Sequence, residues 1–475
     1  MKEVCSIISK NIIPCLYRLE QEGGEEMTPL RQLARFVVNF QLKDVPPKVV
    51  KAAKYCVLDS IGAALGAVNE EELSFICREW KTWTKSSSPY QARVWGCNYK
   101  LDVFQALFLN GMMGHALELD DVHTGSKSHI GAVVVETAWT LGEAIHTDGK
   151  TFLEAVVVGY EIMARVGLSM DVISNRKRGW HGTGVIGTFG AAAAAGHLLR
   201  LTEEQMVWAF GMAGTQSSGL WAFLEEGSTC KKLHPARASV NGLTAALLAK
   251  MGMTGPEHIL EAKDGGLYRA VSDSFSMEKL TKDLGRTYEI LAIDKKPYPC
   301  CRTTHHAIDA ALALRSEIDW ERIERIVVET YEVGVLQCGS LDYPHSPVEA
   351  KFSIPYTVAA ALVRGRVSLS EFTNEAVEDE QIKALAQKVS VVADPLFSGR
   401  YPKRWGCRIR ITMEDKSQIE KQIDDMSGSW ACPLTKEQEI GKFKGLAEKV
   451  ICEEDMERIV ETILTMENAE QIPEI

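Results

Sequence analysis

The sequence predicts a mostly α-helical protein: a helical-bundle domain built from both ends of the chain, with a smaller α+β lid domain inserted. Three observations predict it. Helix-periodic apolar patterning runs almost throughout from Thr28 to about residue 290. Strand-like alternation enters between about 290 and 426, and helical patterning returns after Pro433. The expected division is therefore a polar, Glu-rich leader over 1–26, a bundle over 27–290 plus 427–475, and a lid over 291–426. A chain of 475 residues also exceeds one ordinary core, so about two or three domains are expected.

Each element has its own signal. In TFLEAVVVGYEIMARVG the charged residues Glu154, Glu161 and Arg165 are spaced seven and four apart, one narrow stripe on an otherwise apolar helix. Such a helix is buried on most sides. Thr202 with Gln205, Thr254 with Glu257 and Thr435 with Gln438 each fit a capping box that opens a helix. CRIRITME (407–414) alternates Cys407, Ile409, Ile411 and Met413 with polar residues, a strand with one wet face, and Asp415 to Ser417 offers the turn after it. RIVVETYEV is β-branched and reads as a second strand.

Composition excludes several function classes. A net charge of −11 opposes nucleic-acid binding, while a cationic cleft for a small anion stays open. No run of about 18 apolar residues exists to span a membrane, and the N-terminus does not read as a signal peptide. Twelve cysteines are sparse for this length, without C-x-x-C, so reduced thiols in the cytoplasm are expected. The adjacent Cys300 and Cys301 would bridge only with strain and are expected to pack as thiols.

HGTGVIGTFGAAAAAG (181–196) contains G-x-G-x-x-G. A dinucleotide loop needs a preceding strand and a downstream acidic strand end, but SNRKRGWH precedes it and LLRLTEEQ follows. Close helix packing is the reading that fits. HTDGKT ends like a phosphate loop but has Ala144 where the first glycine belongs. There is no H-E-x-x-H or paired C-x-x-C to hold zinc, and no metal is expected. The acidic ELDDVH cluster with His123 or His129 is a weak metal pattern.

Four polar motifs share one form, a basic residue just ahead of a small-residue or apolar helix. They place His129, His181, then Lys231, Lys232 and His234, and finally Lys296 and His305 at helix entrances. Singly, each histidine reads as a cap or core residue. Together they point to an anion site, because helix N-termini and nearby cations attract carboxylates. A histidine or lysine there would remove a proton beside a carboxylate, with cations stabilising the enolate-like intermediate. Glu118, Asp120 and Asp121 would supply a paired acid or base.

At these residues the chain resembles the MmgE/PrpD family, which includes 2-methylcitrate dehydratase, cis-aconitate decarboxylase and iminodisuccinate epimerase. The resemblance runs from about Thr28 to the end. It is carried by GMMGHALELDD…HIGAVV, GYEIMARVG…WHGTGVIGTFGAAAAAG, KKLHPARA and KPYPCCRTTHHAIDAA. It implies a helical domain with a lid, a homodimer, and no metal or organic cofactor. It carries active-site positions onto His129, His181, Lys231, Lys296 and Glu118. Departures are Cys301 where the decarboxylase has a histidine, Val122 in place of a threonine, and Val335, near Tyr331, in place of a tyrosine.

The expected function is a cofactor-independent lyase that abstracts a proton alpha to a carboxylate on a small di- or tricarboxylate. His129 and His181 share general base and acid work, assisted by Glu118 or Asp120. Lys231 and Lys296, with His234, Cys301 and His305, bind substrate. Returning the proton to the other face would make an epimerase, and a non-catalytic carboxylate binder is the reading outside enzymes.

Overall fold

The structure, a computed structural model, describes residues 27–83, 88–341 and 343–475. The expected leader, 1–26, lies outside the described residues. Eight main helices build the first part of the chain: α1 Pro29–Asn39, α2 Pro47–Ala67, α3 Val103–Ala116, α4 Gly131–Ala144, α5 Gly149–Ser169, α6 Gly182–Leu198, α7 Glu203–Gly214 and α8 Leu233–Lys250. Their starts are chemically marked. Thr28 caps α1 ahead of Pro29, Asp102 accepts from Phe104 and Gln105 at α3, and Asp148 accepts from Thr151 at α5. Both halves of the capping box form at Thr202–Gln205.

Helix α6 lies at the centre, packed by α4, α5, α7 and α8. Its Gly/Ala sequence is what permits this. A Cβ on Gly187 would stand 2.8 Å from the Cβ of Ala238 on α8, and one on Gly242 of α8 would stand 2.4 Å from the Cβ of Ala191 on α6. Nothing larger fits between these two backbones. The glycine-rich run is thus a packing device.

The charged stripe of α5 is buried as well, which exceeds the expectation of burial on most sides. Glu161 accepts from the Arg165 Nε at 2.6 Å, and Arg165 also donates to the Lys282 carbonyl at 2.7 Å. Glu154 accepts from the Leu42 N–H at 2.7 Å. A charge can be buried here because each one is met by a partner.

Short strands interrupt the helical region. Strands β1 (Gln91–Arg93) and β2 (Lys100–Asp102) form a hairpin, and β3 (Val122–His123) pairs antiparallel with β4 (Ile293–Asp294). Beyond β4 lies a four-stranded sheet in the order β6-β5-β7-β8: β5 Ile323–Thr330, β6 Val389–Ala393, β7 Cys407–Met413 and β8 Gln418–Ile423. Only the β5–β6 pair is parallel. Helices α9 (His305–Leu314) and α10 (Ile354–Arg364) pack on this sheet. Cys407, Ile409 and Ile411 point inward with Ile326 and Val328 of β5, forming a second hydrophobic core. At the end of the chain α11 (Lys436–Ala447) and α12 (Glu453–Leu464) return to pack on α2 in the first core.

Two expected elements differ. Thr254 opens no helix; Gly255 and Pro256 lie against α7, and Glu257 instead accepts from Thr28 and Arg31 of α1. RIVVETYEV is a strand only as far as Thr330, since Glu332–Cys338 is helical. Tyr331 turns the chain, its ring stacked 4.5 Å from that of Tyr401. Among the described residues no helix is long and apolar enough to cross a membrane. Every described cysteine is free, including Cys300 and Cys301.

Candidate active site

The β3–β4 pairing joins two motifs that are distant in sequence. Glu118 stands between the end of α3 and β3, with a left-handed backbone (φ 58°), and Lys296 follows β4. The Lys296 ammonium donates to the Glu118 carbonyl at 2.8 Å and reaches Oε2 at 3.4 Å. Lys231 comes from a 3₁₀ turn ahead of α8 and donates to Oε1 of the same carboxylate. Helix α8 can bring it there because Gly111 of α3 admits Ala236 at close range. Burial disfavours charge on Glu118, but the two ammoniums overcome it and hold the carboxyl well below its usual range.

Asp120 is fully buried one layer deeper. Its Oδ2 lies 2.8 Å from the His115 Nδ1 and 3.0 Å from the His129 Nδ1. Against the cost of burial, the two imidazoles keep Asp120 well below the normal carboxyl range. Burial, reinforced by Lys296, pulls His129 down to about 3 despite Asp120. His129 is therefore a neutral imidazole whose Nδ1 faces a carboxylate, which leaves Nε2 as the free basic nitrogen.

His181 is the residue just before α6, and its Nδ1 lies 2.9 Å from the Nδ1 of His234 in the first turn of α8. His234 thus lies inside the helix rather than ahead of it. Burial lowers His181 well below its ordinary value and His234 to about 4. The neutral pair shares one Nδ1 proton, so His234 decides which nitrogen His181 offers to a ligand. The edge of Trp221 lies against the His181 ring at 5.3 Å.

These groups border a small cavity of about 30 Å³, walled by the helical region on one side and the segment after β4 on the other. His129, His181 and Lys231 line it together with Lys127, Arg176 and Arg302. Among the described residues no carboxylate lines it. Cys301 is also on the wall, accepting from the Gln337 amide at 3.0 Å. Burial opposes its ionisation, yet the Cys338 thiol and the Lys231 ammonium bring Cys301 down to about 5. Lys231, Glu118 and His115 also face a more open cleft on the other side, so Lys231 borders both spaces.

The expected site residues divide into three groups. His129, His181, Lys231 and Cys301 line the cavity. Glu118, Asp120, Lys296 and His234 form the charged and imidazole layer behind it. His305 does neither. Its Nε2 contacts the Cys300 carbonyl at 3.3 Å and its ring packs on Tyr298, because the first turn of α9 is aimed into the protein rather than at the cavity. Asp121 also serves the fold: it accepts from the Gly131 N–H at 2.9 Å and the Tyr160 hydroxyl at 2.5 Å, and burial beside Asp59 raises it to about 7.

Models of the MmgE/PrpD N-terminal and C-terminal domains match residues 31–280 and 298–468. The chain belongs to the MmgE/PrpD family. Part of the C-terminal match, helices α11 and α12, packs in the first core rather than with the sheet. Among MmgE/PrpD relatives, the cis-aconitate decarboxylase-like protein oryM of Aspergillus oryzae is 28% identical, covering 94% of this chain and 95% of that protein. The cis-aconitate decarboxylase of Mus musculus is 27% identical over 89% and 87%. The 2-methylcitrate dehydratase of Escherichia coli strain K12 is 23% identical over 92% and 94%. Both names denote lyases.

Sequence reasoning missed several residues that the structure places in and around this cavity. His115 shares Asp120 with His129, and the two rings meet edge to face at 4.5 Å. His115 sits in the last turn of α3, while the carboxylate it shares lies beyond the helix end, so no helical spacing marks it. Lys127, Arg176 and Arg302 carried no spacing signal. His115, Glu118 and His129 each present an atom within 4.8 Å of the others, close enough to share a metal ion. The two ammoniums on Glu118 oppose that use, since a dication there would sit beside two full positive charges.

Proposed function

We infer that this MmgE/PrpD protein is a lyase acting on a small di- or tricarboxylate by removing a proton alpha to a carboxylate. One observation carries the reading: a cavity with four basic side chains and, among the described residues, no carboxylate, beside two imidazoles that burial keeps neutral. Such a wall attracts a multiply charged anion, and its cations stabilise the enolate-like charge that proton removal creates. The relatives named for cis-aconitate and 2-methylcitrate point to the same ligand class.

His129 is the base. Asp120 orients its Nδ1 and stabilises the imidazolium formed when Nε2 takes the proton. His181 donates the proton to the departing group or to the product, in the tautomer set by His234. Lys231 meets a carboxylate of the substrate, while Glu118 and Lys296 fix the position and charge of Lys231 from behind. The residues after β4 close the cavity and exclude water.

Purified protein incubated in D2O with cis-aconitate, 2-methylcitrate, citrate, tartrate and substituted succinates, followed by NMR, tests this. Loss of water or CO2 from one of them is expected, and His129→Ala lowers turnover on it by about 10²–10⁴-fold. Deuterium entering unconsumed substrate, with no product, would replace the lyase reading by an epimerase. Undiminished turnover by the alanine variant would remove His129 as the base.

A further inference from the structure

Two basic side chains on the cavity wall are left without an acceptor, and the proposed lyase reading gives neither a role of its own. The others are matched: Lys231 by Glu118, and Arg302 by Asp294 at 2.7 Å. The Lys127 Nζ is sealed from solvent and has no hydrogen-bond partner. Its surroundings are the ring of Tyr401, 5.7 Å away, the Arg176 guanidinium and the sulfurs of Cys338 and of Cys301, the latter itself brought down to about 5. Arg176 stacks 4.3 Å over Trp221, and its Nε is likewise buried and unpartnered.

The backbone adds a second, independent mark. Lys127 lies in the left-handed region (φ 53°), a conformation a non-glycine residue holds only when its surroundings impose it. The turn Thr124–Lys127 closes with a backbone bond of 3.3 Å, and Ser126 and Ser128 on either side are tied to one another and to His123. This loop therefore holds an unpartnered lysine amine at the cavity wall, which burial and the neighbouring Arg176 bring down to about 7. An unpaired buried charge is costly to keep. Lys127 and the half-buried Arg176 side by side, with no carboxylate on the same wall, suit an anion, whose charge would favour the protonated lysine.

We propose that Lys127 and Arg176 form a second carboxylate subsite, which binds a carboxylate of the ligand remote from the carbon that loses its proton. The first carboxylate is the one at Lys231, so this rests on the proposed reading of the cavity as a polycarboxylate site. The pair then acts in specificity: it selects ligands carrying a further carboxylate over those that lack it. Asn175 is committed to the Val271 carbonyl, and the buried Trp405 indole N–H is a further unpartnered donor on the same wall.

Isothermal titration of the full chain with tricarballylate, an unreactive tricarboxylate, and with glutarate, which carries two carboxylates, tests the subsite. The unaltered protein is expected to bind tricarballylate at least tenfold more tightly than glutarate. In Lys127→Met that preference collapses to within about twofold, and Lys127→Arg restores most of it. Without ligand, Lys127→Met melts at or above the temperature of the unaltered protein, because it removes a buried amine that has no hydrogen-bond partner. Should Lys127→Met keep the full preference, the subsite is wrong while the polycarboxylate reading stands. A markedly less stable Lys127→Met would give the lysine a structural role and also overturn the subsite. Binding of neither acid by the unaltered protein would overturn both readings together.

Discussion

At His129 burial and charge act against each other, and the outcome sets the pH range of the proposed reaction. Asp120 favours the imidazolium, but burial and Lys296 prevail and bring the group down to about 3. The sign follows directly: a base whose pKa is lowered keeps its lone pair as the pH falls through the ordinary histidine range near 6.5. The acid limb of kcat/KM, corrected for ionisation of the substrate, is therefore expected below pH 5. A limb between 6 and 7 would assign the base to another group. Residue types alone made the basic motifs legible. His115, Lys127 and Arg176 were not, because what distinguishes them is a shared carboxylate or a missing partner, and neither is written in local spacing.

Among the elements, α6 and α8 show how composition becomes geometry. Their glycines and alanines allow backbone contact, and the same contact brings His181 at the start of α6 against His234 at the start of α8. Gly242→Ala would push a methyl to within 2.4 Å of Ala191 and 2.6 Å of the Thr188 carbonyl. A cost of about 1–3 kcal/mol is expected, read as a lower thermal midpoint. Gly441→Ala on exposed α11 meets nothing within 4 Å and is expected to stabilise by about 0.4–1 kcal/mol. Equal effects of the two changes would contradict the packing role. Capping signals were legible where the chain ahead was free to be helical, at Thr202 and Thr435. At Thr254 the same letters failed, since Gly255 and Pro256 are held against α7 and Glu257 is taken by Arg31.

Across the whole molecule, buried titratable groups of opposite sense share one pH window. His129 and His234, lowered to about 3 and about 4, lose stability as pH falls below 6.5, because only the unfolded chain readily accepts those protons. Asp121 and Glu161, each raised to about 7 by burial, act the other way and lose stability as pH rises from about 4 to 7. The two trends offset between pH 5 and 7. Glu118 and Asp120, held low, keep their contribution above about pH 4 and lose it below, as their protonation breaks the network around Lys231 and Lys296. Thermal midpoints are expected to change little from pH 7 to 5 and to fall steeply under pH 4. A steep fall already at pH 6 would show the imidazoles dominating.

The sequence by itself determined the mostly helical class, two of the four strands of the second core, the close packing of the glycine-rich helix and a set of cationic and imidazole groups suited to an organic acid. Those properties are local: side-chain periodicity, residue volume and chemical type act within a few residues along the chain. Tertiary structure decided which of these groups reach the cavity. Lys296, Asp120 and His234 stand behind its wall, His305 turns away, and Lys127 and Arg176 face inward unmatched. Burial and ion pairing arise only where distant segments pack together, as β3 and β4 do, and no short stretch of sequence contains that encounter.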